Sequence, residues 1–299
     1  MAMFLLFTKL QRKHRLKIVA AHLNHGLQGR EGTRHRALVE KTARGLGVPF
    51  YSKRVNLRVL AKKNKRSLEE MGRLERYRFF EEVARKTAAD RIVTAHTADD
   101  LTETMLFRIL RGAGLKGLTG IPYKRRQGRF EVIRPLLSSE KKDLLMFLAQ
   151  SGAAFCVDKT NRDTRFTRNR IRHDLLPKIA RDYNPQIKNS LASLQVICHD
   201  VQNYLDAVCA KIFDQCLLGK PRPKRKLVLN APKLKRLHRA LQREVLRKAL
   251  SERKGDLTRI TFSHIESVLD LLRSPEHPRK LHLPGPITIR KKKTTLEVA

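Results

Sequence analysis

The chain has 299 residues with 65 Lys+Arg against 28 Asp+Glu, a net charge of +37 and a pI near 10.9. A field of that size exceeds what solubility needs and makes nucleic acid the expected partner. An anionic membrane surface is the competing reading, but the basic residues run along the whole chain and are not gathered into one juxtamembrane cluster.

With 41% hydrophobic residues the chain can bury the core of one large domain or two ordinary ones. Its cysteines, Cys156, Cys198, Cys209 and Cys216, make no CxxC pair and have no His at metal-ligand spacing, so reduced thiols are expected. The start, "MAMFLLFTKLQRKHR", places its charges after the apolar run, the reverse of a signal peptide. No run approaches the ~20 apolar residues of a membrane span. A soluble, cytoplasmic protein with no membrane partner is expected.

In chain order, "MAMFLLFTKLQRKH" predicts a helix and "LKIVAAHL" a buried strand, followed by the loop "NHGLQGREG". "RHRALVEKTARGLG" predicts an amphipathic helix ending on Gly47, "VPFYSKRV" a strand and "SLEEMGRLERYRFFEEVARKT" a long helix. The strand "RIVTAH" leads into a helix containing "LTETMLFRIL"; "EVIRPLL" is a last strand and "EKKDLLMFLAQSG" a helix closed by Gly152. Strand and helix in turn imply an α/β fold with a doubly wound parallel sheet. From about residue 185 the pattern turns helical, broken by the basic loop "GKPRPKRK"; two more helices follow near 237–251 and 261–273, and the end reads as short strands around a Pro-Gly turn. The expected division is an α/β domain over 1–184 and a mainly helical accessory domain over 185–299.

Several stretches carry chemistry. "AHTADDLTET", residues 95–104, sits on a strand-to-helix turn, where open α/β sheets bind ligands. If the helix runs back to His96, then His96, Asp99, Asp100 and Glu103 share a sector of about 80° at ~100° per residue. Helix capping explains one of these carboxylates. His22, Asn24 and His25 follow another strand and mark a second carboxyl end. Ser67-x-x-Glu70 resembles a capping box, and Glu69, Arg73 and Arg76 share a helix face that spacing alone reads as a solvated ion-pair surface. "DKTNRDTRFTRNRIRH", residues 158–173, interleaves Arg162, Arg165, Arg168, Arg170 and Arg172 with Asp158, Asn161, Asp163 and Asn169. Guanidinium forks suit phosphate oxygens, and the interleaved Asn and Asp favour a shaped site over a plain basic loop.

The segments "HLNHGLQG", "SLEEMGRLERYRFF", "TAHTADDLTETMLFRILRGAGLKGLTGI", "IRPLL" and "DKTNRDTRFTRNRIRHDLLP" occur in one order over roughly residues 16–177. Together they resemble the tRNA(Ile)-lysidine synthetases, enzymes of the N-type ATP pyrophosphatase group. The resemblance implies a Rossmann-like catalytic domain and ATP-dependent attachment of free lysine to C2 of the wobble cytidine in tRNA(Ile) with a CAU anticodon. It implies catalytic roles for His96, Asp100, Arg73, Arg76 and Arg170, and nucleotide contacts from His22, Asn24, His25, Asn169 and Arg172. Asp99, Asp100 and Glu103 are the implied magnesium ligands, since oxygen donors suit that ion. A homodimer is a candidate assembly.

The sequence departs from the family in having no Ser-Gly-Gly-x-Asp-Ser loop; Met1-Ala2-Met3 aligns just past it. The expectation is a sheet without its first strand and weak ATP binding. A start codon assigned too late and a degraded copy both account for this, and the intact charged pattern favours the former. A tRNA 2-thiocytidine synthetase is the neighbouring alternative, opposed by the lack of a CxxC pair. A non-catalytic RNA-binding protein is the alternative of another class.

Overall fold

The computed structural model describes residues 1–156, 164–219, 226–276 and 279–299. It divides into two units, Met1–Val196 and Ile197–Ala299, with the division inside one long helix. The sequence places its boundary near residue 185.

The first unit begins with α1 (Ala2–Leu10), β1 (Ala20–Asn24), α2 (Gly29–Gly45), β2 (Phe50–Arg54), α3 (Leu57–Lys63) and α4 (Leu68–Lys86). Next come β3 (Arg91–Val93), α5 (Ala98–Leu110), the short α6 (Leu115–Leu118), β4 (Lys124–Gln127), β5 (Phe130–Ile133) and α7 (Lys141–Gln150). After α8 (Thr167–Arg170), a π-helical turn (Ile171–Leu175) leads into α9 (Leu176–Asp182) and then α10 (Ile187–Cys216). α3 was not expected from the sequence; Asn56 starts it by accepting the Val59 N–H. α2 begins within the expected loop.

The strands pair parallel as the alternation implies, Ala20 opposite Phe50 in β1–β2 and Ile92 opposite Val132 in β3–β5. One strand is added: β4 runs antiparallel to β5 across a turn at Gly128, whose φ is +58°. Among the described residues the sheet is in two pieces, β1–β2 and β3–β5–β4. α4 packs on both β1 and β3, and its Phe80 joins the buried clusters under each piece. The hydrogen-bond parity leaves two edges open. Ala20 and Asn24 bond toward β2, so Ala21 and Leu23 turn their peptide groups away from it; Thr94 bonds to Ile133, so Arg91 and Val93 turn away from β5.

The second unit holds β6 (Leu227–Asn230), α11 (Ala231–Arg236), α12 (Arg239–Lys254), α13 (Phe262–Arg273), β7 (Arg279–Leu283), β8 (Ile287–Lys291) and β9 (Thr295–Val298). Its strands form an antiparallel sheet in the order β6–β9–β8–β7. The expected terminal strands are present, and β6 extends them from a segment the sequence left unassigned. Val245, Ala249, Val268, Leu272, Ile289 and Leu296 are fully buried between these helices and the sheet, the larger side chains contributing about 1.5–3 kcal/mol each. Most of the "GKPRPKRK" loop lies outside the described residues, as do Asp158, Asn161, Arg162 and Asp163.

Candidate active site

Two strand ends and two helix faces of the first unit supply the expected site residues. At the end of β1, the Asn24 side chain accepts the Gly26 N–H at 2.9 Å and closes a tight turn. Only glycine fits at 26: φ is +69°, and a Cβ would lie 2.6 Å from the Val55 carbonyl oxygen. The turn aims His25 at α4, where its Nε2 lies 3.4 Å from Arg76 Nη2. Burial, the Arg76 charge and His22 push the His25 pKa down to about 4. The neutral ring accepts from Arg76, and its buried Nδ1 has no partner. Burial and the charges of His35 and Arg36 also lower the His22 pKa.

At the end of β3, Thr97 caps α5 in a capping box with Asp100: Asp100 Oδ2 accepts the Thr97 N–H, and the Thr97 hydroxyl accepts the Asp100 N–H. The helix therefore starts at Ala98 after Thr97 in extended backbone, and His96 lies before it, outside the helix. That corrects the single helical face expected for His96, Asp99, Asp100 and Glu103. His96 Nδ1 instead lies 3.0 Å from the Thr94 hydroxyl. Its pKa is pushed down to about 4 by burial; Asp100 pulls upward, but Arg134, Arg168 and Arg73 oppose it.

The acidic residues also separate. Glu103, 1% exposed, accepts from Arg168 Nε at 3.0 Å and from Arg172 at 2.5 and 2.9 Å. Asp100 Oδ1 takes a further bond from Arg168 at 3.1 Å. Asp99 faces elsewhere: it accepts the first N–H of α7, from Lys141, and the Lys188 ammonium, both at 2.7 Å. Burial raises its pKa, yet these donors outweigh it and the net shift is downward. The expected magnesium set of Asp99, Asp100 and Glu103 does not fit this geometry. Asp100 and Glu103 already give their oxygens to arginines and the cap, Asp99 is turned away, and no three His, Cys, Asp or Glu among the described residues could hold a metal. Arg172, expected on the nucleotide, is committed to Glu103, which raises its pKa against the effect of burial.

Arg168 was expected only as one member of the basic stretch, and it hydrogen-bonds both Asp100 and Glu103, while Arg172 bonds Glu103 and lies 3.7 Å from Asp100. Arg170 lies on another side, exposed, lining a cavity of about 370 Å³ with Leu110, Ile171, Asp174 and Lys178. Asn169 is half-buried beside it on α8. Arg73 and Arg76 are exposed on α4, and Arg73 adds positive potential at Arg76, His96, Arg108 and Arg134. The bland ion-pair reading of this face does not hold, because neither Arg73 nor Arg76 has a carboxylate partner among the described residues.

Comparison with known proteins adds to this geometry. Residues 1–179 match the family described as a PP-loop domain, and residues 229–296 match the TilS substrate binding domain. The tRNA(Ile)-lysidine synthase of Geobacter sulfurreducens is 35% identical over 275 residues, covering 92% of this chain and 57% of the relative. That of Caldanaerobacter subterraneus subsp. tengcongensis is 33% identical over 299 residues, covering 97% and 62%. The chain thus spans about three-fifths of the length of these relatives. The solved U34-tRNA thiolase NcsA of Methanococcus maripaludis, with its 4Fe–4S cluster, aligns at a TM-score of 0.50 and 15% identity, covering 66% of this chain and 68% of that one; this is a likeness of fold. Since the PP-loop match takes in more than half of the sequence, the chain belongs to the PP-loop domain family.

Proposed function

We propose that this chain carries the ATP-pyrophosphatase and substrate-binding parts of a tRNA(Ile)-lysidine synthase. The observation that carries the reading is the pairing of a PP-loop domain with a TilS substrate binding domain in one chain. In the reaction, the C2 oxygen of the wobble cytidine of tRNA(Ile) attacks the α-phosphorus of ATP and pyrophosphate leaves. The amine of lysine then attacks C2, loses a proton, and AMP departs with the C2–O electron pair.

Fixed cations facing the developing phosphate charge are the principal aid such a step can receive. Arg73 and Arg76 on α4, and Arg170 on α8, are the exposed arginines suited to it. His96 is neutral near pH 7 and a weak base, so it orients the cytidine or lysine rather than removing a proton. Asn24, His25 and His22 line the nucleotide side at the end of β1. Asp100 and Glu103 act through Arg168 and Arg172, holding α8 so that Asn169 and Arg170 are presented. The base must leave its stack to be reached, and the +37 charge favours the anticodon stem. ATP and tRNA as substrates imply a cytoplasmic setting.

The test is to incubate the chain with ATP, lysine and tRNA(Ile) bearing a CAU anticodon, then to measure pyrophosphate and digest the RNA for nucleoside mass analysis. One pyrophosphate per lysine-modified cytidine is expected, at a rate held low by the weak ATP binding expected of a sequence without the Ser-Gly-Gly-x-Asp-Ser loop. tRNA binding with neither pyrophosphate nor a modified base would reduce the protein to an RNA-binding role.

A further inference from the structure

Beside Arg73 the structure holds two arginines, Arg125 and Arg134, that none of the steps above uses. Tyr77, 5% exposed on α4, has the Arg125 guanidinium 4.3 Å from its ring centroid and that of Arg73 at 5.3 Å. Its hydroxyl accepts from Arg134 Nη2 at 3.5 Å. Arg134, just past β5, is 1% exposed, and its other bond goes to the Pro122 carbonyl at 2.6 Å. The Nε atoms of Arg125 and Arg134 are both buried without a partner among the described residues. Among the described residues none of Arg73, Arg125 and Arg134 forms an ion pair. Arg73 is exposed, Arg125 half-buried and Arg134 fully buried, so the three descend from the surface to the interior.

Three guanidinium groups around one phenol, with no ion-paired carboxylate among the described residues, are costly unless something negative joins them. An unpaired buried charge costs several kcal/mol. Ring faces offset part of that for Arg73 and Arg125, but among the described residues the Arg134 side chain bonds to the Tyr77 oxygen and the Pro122 carbonyl alone. Burial raises the Tyr77 pKa, yet the Arg134 hydrogen bond and the charges of Arg125, Arg134 and Arg73 outweigh it, so the net shift is downward. The electrostatic field at this point therefore already favours an anion.

We propose that Arg73, Arg125 and Arg134, with the Tyr77 hydroxyl, form a binding site for a polyphosphate: inorganic pyrophosphate or the terminal phosphates of a nucleotide. Multiple guanidinium forks match several phosphate oxygens at once, and the charge of pyrophosphate near neutrality is of the size three arginines neutralise. An amino acid's carboxylate is a poorer fit, because its ammonium group sits two bonds away and the same cations repel it. Arg134 Nη2 donates to the Tyr77 oxygen, which leaves the Tyr77 O–H free to donate to a phosphate oxygen. The site rests on the synthase reading only for the source of the polyphosphate.

The test is calorimetric titration of the full chain with sodium pyrophosphate, AMP, ATP and lysine, in wild type and in Arg125→Gln, Arg134→Gln and Arg78→Gln. Arg78 is on the same helix, exposed and paired with Glu75, so it controls for bulk charge. Pyrophosphate is expected to bind at least tenfold more tightly than AMP and to raise the melting temperature, while lysine does neither. Arg125→Gln and Arg134→Gln should each weaken pyrophosphate at least tenfold, and Arg78→Gln less than twofold. Arg125 is partly exposed, so its variant keeps the test decisive should Arg134→Gln fail to fold. ATP matching pyrophosphate identifies a nucleotide tail as the ligand; pyrophosphate alone binding identifies the released product. Unchanged pyrophosphate affinity in Arg125→Gln, or an equal loss in Arg78→Gln, overturns the site whatever the activity. Arginine-dependent pyrophosphate binding without base modification leaves the site standing and removes the synthase reading.

Discussion

Glu103→Gln is the sharpest perturbation of the first unit. The carboxylate is 1% exposed and accepts three guanidinium bonds, one from Arg168 and two from Arg172. The substitution preserves shape but leaves one acceptor oxygen and an NH2 group that faces guanidinium donors. Removing one partner of a buried pair costs about 3–5 kcal/mol. Here the arginine side chains are 38% and 24% exposed, so water screens the loss. Arg168 also keeps Asp100 at 3.1 Å. The expected destabilisation is therefore about 2–3 kcal/mol. Urea unfolding can be followed through the near-ultraviolet signal of the tyrosines, since Tyr51, Tyr77, Tyr123 and Tyr183 all lie in the first unit. Adding Arg172→Met should recover at least ~1 kcal/mol of the loss, because the unpaired cation goes with it. A Glu103→Gln cost under ~0.5 kcal/mol, or strict additivity with Arg172→Met, would refute the account.

Gly26→Ala should lower stability by more than ~1–2 kcal/mol in thermal melts, because its strained φ coincides with a blocking carbonyl. Gly47→Ala has φ +65° but open space around it and should cost no more than about 1 kcal/mol. Stability should fall as pH drops from 6.5 toward 4, by of order 1–3 kcal/mol per histidine. The unfolded chain takes up protons on His25 and His96 that the folded chain, with pKa values of about 4, refuses. His25→Asn and His96→Asn should each flatten the urea-derived pH profile over that window. Affinity for tRNA should fall steeply with salt, with a log–log slope near −0.9 per phosphate neutralised on duplex regions, and filter binding at several ionic strengths reads it directly.

Period and cap signals were enough to read β1, α4 and α5 in the sequence, because each pairs a strong pattern with a clear boundary. β4 was hidden: "KRRQ" has no apolar alternation, and it becomes a strand only because Gly128 turns it back onto β5. α3 was missed because seven residues carry too little periodicity; its start is set by Asn56, which accepts the Val59 N–H. At the site, the sequence singled out the acidic residues, but their grouping on one helical face does not hold. Thr97 caps the helix and stops it short of His96. Asp99 is claimed by α7 and Lys188, both remote in sequence. Among the arginines, the i, i+4 spacing that sets Arg168 and Arg172 on one face and Arg170 on another was open to reading, and that grouping survives the π-helical turn that begins at Ile171. The uncompensated arginines around Tyr77 come from three segments, so their meeting is a property of the fold.

The divided sheet has a consequence for how the first unit opens and closes. A continuous ladder couples its strands so that they are lost together, whereas β1–β2 and β3–β5–β4 share no backbone bond among the described residues. The two pieces are free to behave as separate cooperative blocks, coupled through side chains such as Phe80. Within β1 the amide protons of His22 and Asn24 are locked toward β2, while those of Ala21 and Leu23 have no strand to hold them. Deuterium uptake would therefore alternate residue by residue along β1 and again along β3, tracing the boundary between the blocks. Any strand that entered between them would silence both alternations at once and fuse the blocks into one.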